Sequence, residues 1–175
     1  MTQNEIAELV QSVGSGNYTV GGRKVRRKVI YVNANVSAKS GTFQLVEQKT
    51  DKEVGITNLD GGNAFAKGRD VIVLAVKVGV DTGTAAPKEA TYKNQPLAAL
   101  ANGELRIIQG EELASFPISV LANPGTATSV DDNFFKTAPI FLKSQTAFKF
   151  EVETPAAIAA TTCLSLMLDT LEFVD

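Results

Sequence analysis

The residue types that carry most enzymatic chemistry are scarce in this 175-residue chain: it has no His, no Trp and a single Cys. Without His there can be no Ser-His-Asp or Cys-His pair and no imidazole ligand for zinc or iron. Cys163 lies in an apolar stretch, where a thiol reads as a small core side chain; a nucleophilic thiolate needs a basic partner. One Cys closes no intrachain disulfide. Carboxylates come in pairs at Glu111-Glu112, Asp131-Asp132 and Glu151 with Glu153. Such pairs hydrolyse glycosides when they face one another across a cleft. Adjacent in a loop, or alternating on a strand's polar face, they read as solvated surface. Asp131-Asp132 alone offers too few oxygens for a calcium site. Gly14-Ser15-Gly16 begins like a dinucleotide loop, but Thr19 stands where the third glycine belongs and a strand follows instead of a helix. The expectation is therefore no catalytic residue, no cofactor and no metal.

One charged feature remains. Arg23, Lys24, Arg26, Arg27 and Lys28 place five cations within six residues. The whole chain has 17 Lys and Arg against 19 Asp and Glu, a net charge of −2, which argues against non-specific nucleic-acid binding. On a strand, Arg23, Val25 and Arg27 face one way and Lys24, Arg26 and Lys28 the other. Cations on both faces require the strand to start at a solvated rim. Two uses stay open: a charged edge that resists sheet-to-sheet pairing, or a contact with phosphates or an acidic neighbouring subunit. No aromatic interrupts the cations, so base stacking is unsupported. The C-terminal end is acidic, with Asp169, Glu172 and Asp175.

The elements that must position these residues are mostly strands. Residues 1–17 read as an N-terminal arm or short helix with a Gly-rich hinge. Ile6, Leu9, Val10 and Val13 recur at helical spacing, with Glu5 and Glu8 near the start. Either this helix docks on a neighbouring subunit through those four residues, or it packs on its own domain. Residues 18–175 form a single domain. Strands are predicted over 25–36, 42–49, 104–109, 113–121, 134–143, 146–153 and 161–174, with 52–56 as a hairpin partner. Val71–Val76 is apolar on both faces, so the strand over 69–80 belongs in the middle of a packed sheet. Pro117 suits an edge or a bulge, and the strand over 134–143 contains Pro139. Phe148, Phe150 and Val152 face one way from Lys149, Glu151 and Glu153. Residues 95–102 suit a two-turn helix. Helices that could cross over between parallel strands are missing, so the fold class is all-β, an antiparallel β-sandwich with a short N-terminal helix or arm. The longest apolar run is too short to span a bilayer, and residues 1–5 do not open a signal peptide, so synthesis in a cytoplasm is expected.

Ala138-Pro139-Ile140-Phe141-Leu142 leads into Phe148-Lys149-Phe150-Glu151-Val152, a Pro/Ala-rich loop, then Leu164-Ser165-Leu166-Met167-Leu168-Asp169-Thr170. This run resembles the closing strands of viral jelly-roll capsid proteins. The run from Leu97 through Gly103-Glu104-Leu105 resembles segments of small virion proteins of tailless bacteriophages. The resemblance implies a single jelly roll of about eight strands, a bacteriophage capsid or capsid-associated component in the virion, and self-assembly with no catalytic residues. Its implied partners are copies of itself and other virion proteins, with the arm or the basic segment turned toward neighbours or genome. The runner-up is a non-viral β-sandwich binding or adhesion module.

Overall fold

A computed structural model describes residues 4–6, 8, 18–122 and 134–175. Among these residues, nine strands make two sheets. The first contains β1 (Tyr18–Val20), β2 (Arg23–Asn35), β4 (Arg69–Asp81), β7 (Phe135–Leu142) and β9 (Cys163–Val174). The second contains β3 (Gly41–Gln44), β5 (Glu104–Gln109), β6 (Glu111–Pro117) and β8 (Lys149–Thr154). The strand orders are β1-β2-β9-β4-β7 and β3-β8-β5-β6. Every described pairing is antiparallel. The chain is an all-β antiparallel sandwich, as the spacing of its strands predicts.

The core lies between the sheets and follows the period-2 alternation of each strand. Leu164, Leu166 and Leu168 of β9 point inward, with Ile30 and Val32 of β2 and Val76 and Val78 of β4. From the facing sheet come Phe150 and Val152, with Phe148 just before β8; the rings of Phe148 and Phe150 lie 5.0 Å apart, and Phe65 stacks on Phe148 at 4.8 Å. Each of these side chains contributes roughly 1.5–3 kcal/mol by leaving water. β4 lies between β9 and β7 and is buried on both faces, the position its unbroken apolar run requires. β9 pairs along its whole length with β2 on one side and, across one bulge between Val73 and Ala75, with β4 on the other.

Several elements differ from the expectation for local reasons. The strand predicted to run to residue 121 stops at Pro117, and Ile118–Leu121 forms a helical turn with Ile118 and Leu121 buried. The helix predicted over 95–102 is a single turn, Ala98–Ala101. Gly21 and Gly22 close a two-residue hairpin between β1 and β2 with φ of +57° and +84°, which only a type I′ turn and glycine-like residues tolerate. Residues 52–56 form no hairpin strand. Gly55 takes φ +83°, and Ile56 and Thr57 donate backbone hydrogen bonds to the Glu53 carbonyl at 3.0 and 2.9 Å, making a tight turn instead.

That turn has a use. β1 covers β2 only over Arg23–Val25, so the rest of β2 would be an open edge. The turn closes it. Asn33 N–H donates to the Ile56 carbonyl at 2.7 Å, and Thr57 Oγ1 donates to the Tyr31 carbonyl at 2.7 Å. The Asn58 amide imitates a strand: its Nδ2 donates to the Val29 carbonyl at 2.7 Å and its Oδ1 accepts from Tyr31 N–H at 3.0 Å. Sheet edges left bare template aggregation, and side-chain cover is one remedy. Replacing Asn58→Ala removes both hydrogen bonds. The expected loss is about 1–3 kcal/mol in urea denaturation, with more light scattering on refolding. An unchanged midpoint would show that the Asn58 bonds are dispensable.

Candidate functional site

The basic segment meets the acidic end of β9. Register places Arg26 directly opposite Glu172. Glu172 follows Leu164, Leu166 and Leu168 on the inward face and is 0 % exposed. Arg26 Nε lies 2.7 Å from its Oε2, Arg69 Nη2 of β4 lies 2.5 Å from its Oε1, and Lys28 Nζ lies 3.6 Å away. Arg69 also holds Asp60 at 2.8 Å and sits 5.0 Å above the Phe65 ring, so this ionic group lies against the aromatic core. The outward face has its own set. Arg23 pairs with Asp70 at 2.8 Å and Asp175 at 2.5 Å, and Arg27 pairs with Asp169 at 2.7 Å. Lys24 is exposed. The alternation read from the sequence holds, and the chain's own carboxylates answer four of the five cations. The start of β2 is flanked by β1 and β9, so it is not a bare edge there.

Of the arm residues, Ile6 is 4 % exposed and packs with Val25, Ile72, Leu171 and Phe173 on the outward face of the first sheet. Leu9, Val10 and Val13 lie outside the described residues, as does Asp131-Asp132. Glu151 and Glu153 stand on the outer face of the second sheet. With Glu104 and Glu112 they surround the Arg106 guanidinium; Glu104, Glu112 and Glu151 are 3.6–3.7 Å away. This is a charged surface network with the Arg106 guanidinium standing between the carboxylates. Cys163 is buried with Sγ 3.2 Å from the Thr84 carbonyl oxygen. Burial pushes its thiol pKa up and the Asp81 carboxylate adds to the rise, the opposite of what a nucleophile needs. Among the described residues, no group of three or more His, Cys, Asp or Glu side chains is placed to hold a metal ion.

A different feature was not read from the sequence. An apolar groove of about 610 Å³ runs between the outer edges of β6 and β7. Leu113 and Phe116 form one wall, and Phe135, Pro139 and Phe141 the other. Lys136 and Lys143 line it as well. Phe116 and Phe135 meet edge-to-face at 6.0 Å across the gap, yet Phe135 is 40 % and Phe141 47 % exposed. The groove has no motif because it joins edge strands of two different sheets. The sequence signal nearest to it is Pro117, which suits an edge at the end of β6.

No family model matches the chain, and no curated protein sequence matches it. Among solved structures, the chain is similar to one described as "Acidic stable capsid structure of Helicobacter pylori bacteriophage KHP30". The identity is 11%, the TM-score 0.36, and the match covers 86% of this chain and 93% of that one.

The charged network sets a pH dependence. Burial alone would raise the Glu172 pKa. Hydrogen bonds and charge from Arg69, with Arg26 and Lys28, outweigh burial and hold it below the ordinary value of 4.5. Asp70 is lowered by the Ser144 N–H and by Arg23. A carboxylate whose native pKa lies below its unfolded one stabilises the fold fully above the unfolded value, and that contribution drains as pH falls through the native pKa. Stability is therefore expected to fall below about pH 5. In Glu172→Gln the acid-side slope, measured by denaturation at several pH values, should flatten. Because Arg69 then loses its main partner, neutral-pH stability should drop by about 3–5 kcal/mol. An acid slope identical to that of the unaltered protein would refute the role given to Glu172.

Proposed function

We propose that this chain is a structural component of a bacteriophage virion, a single jelly roll that works by assembling with copies of itself and with other shell proteins. The strand order carries the reading. Without β1, the sheets run β2-β9-β4-β7 and β3-β8-β5-β6, so the chain passes repeatedly from one sheet to the other as two interlocked Greek keys do. Jelly rolls serve as capsid domains, lectins and metal-binding cupins. The last use needs histidine ligands, and the chain has none. Sugar platforms favour exposed Trp and Tyr; the chain has no Trp and three Tyr, of which Tyr92 donates its hydroxyl to the Pro87 carbonyl. A shell component needs rigid sheets and adhesive edges, and the groove between β6 and β7 supplies such an edge.

In this reading Ile6 anchors the N-terminal end of the arm to its own domain, while Leu9, Val10 and Val13, between it and β1, serve contact with a neighbouring subunit. The basic segment acts first within the chain, holding β2 to β9, and exposed Lys24 is its outermost point toward an acidic neighbour or the genome. Light scattering coupled to size exclusion tests the proposal. Mass should rise with concentration toward a closed oligomer. A protein that stays monomeric up to millimolar concentration would sink the shell reading and favour a monomeric binding or adhesion module.

A further inference from the structure

The groove and the turn over 53–57 occupy opposite sides of the sandwich. The turn seals the outer edge of β2, at the end of the first sheet away from β7. Val54 stands at its tip and is 86 % exposed, more than any other large apolar side chain described. Its backbone is fixed, since the hydrogen bonds to Glu53 and the pairing of Asn33 with Ile56 tie the turn to β2. The protein thus carries a rigid apolar knob on one edge and an apolar hollow on the other. Isolated exposed side chains are ordinary; a rigid knob matched by an open groove marks an interaction surface.

Strand addition does not suit the hollow. Pro139 has no N–H to offer, and β7 slips register against β4 between Val73 and Ala75. β6 ends at Pro117 and slips against β5 between Ile107 and Ile108. Prolines and bulges of this kind blunt an edge against pairing. What remains open is the space between the edges, which accepts side chains. Its charged lining residues are Lys136 and Lys143, and it has no lining carboxylate. The turn presents Asp51 and Lys52 beside Val54, while Glu53 is paired within the chain with Lys88, so the fit rests on the apolar knob and hollow and not on charge.

We infer that the groove between β6 and β7 of one copy receives the Val54 turn of a second copy, edge to edge. The inference rests on the self-assembly proposed above and names its contact. Knob and groove are different patches, so the contact is heterologous. An open assembly keeps one unfilled knob at one end and one unfilled groove at the other until a ring closes.

Cysteine cross-linking tests the geometry. Two full-length variants are made, Val54→Cys and Thr137→Cys, the latter on the groove wall; native Cys163 is buried and does not compete. With a short bismaleimide, each variant alone should stay uncoupled, a mixture of the two should give dimers, and the double variant should give a ladder of covalent oligomers. Val54→Asp should lower the association constant by about tenfold or more, the scale of a charge placed at the centre of a contact. Its thermal transition should not move, because Val54 makes no core contact. Coupling of Val54→Cys to itself would overturn the inference in favour of a two-fold contact. Assembly that persists in Val54→Asp with no mixed dimers would overturn it while leaving the shell reading intact. An unaltered chain that never associates would overturn both.

Discussion

Glu172 is an ionised carboxylate on a fully buried position of the strand at the middle of its sheet, and the strands on both sides are built to answer it. β2 supplies Arg26 and Lys28, and β4 supplies Arg69. The penalty for burying a charge is large enough that the pairing does not by itself make the fold more stable than an apolar replacement would. Its effect is on specificity. A slip of one residue between β2 and β9 would turn Arg26 and Lys28 to the other face and leave Glu172 with Arg69 alone, while also turning Ile30 and Val32 out of the core. Hydrophobic and electrostatic demands thus select the same register.

The outward face repeats the logic more gently. Arg23 with Asp70 and Asp175, and Arg27 with Asp169, are partly solvated pairs, individually worth little. They frame the small apolar patch where Ile6 lies against Leu171 and Phe173. Around this fixed centre the two sides of the sandwich are treated differently. On one side Asn58 and its turn seal the edge with hydrogen bonds. On the other, proline and bulges deny strand pairing but leave aromatic side chains open. One side is sealed within the chain, and the other keeps an open apolar groove.

What could be read from the sequence follows the range of the interactions. The alternation of Phe148, Phe150 and Val152 against Lys149, Glu151 and Glu153 is a local pattern, and so is the doubly apolar run of β4; both elements lie where those patterns require. The basic segment was visible, and so were Asp169, Glu172 and Asp175. Their pairing was not, because 146 residues separate Arg26 from Glu172 and only the strand register joins them. Residues 52–56 carry β-branched side chains and read as a strand, yet Gly55 and the hydrogen-bonding side chains of Thr57 and Asn58 favour a turn. The groove lay beyond any local reading because its two walls come from different sheets.

The position of β9 bears on how the molecule is made. β2 and β4 do not pair with each other; each waits for β9, the last of the nine strands to be synthesised. The β5–β6 hairpin closes locally and can form early, but the larger sheet has no middle until residues 163–174 arrive. Until then Arg26, Lys28 and Arg69 have no Glu172 to meet, and two long strands, one of them apolar on both faces, each stand with an unpaired edge. Late, long-range closure of this kind is slow and exposes the nascent chain to aggregation. The cations that lock the finished sheet lie on those waiting strands, so their buried partner is the last part of the sheet to arrive.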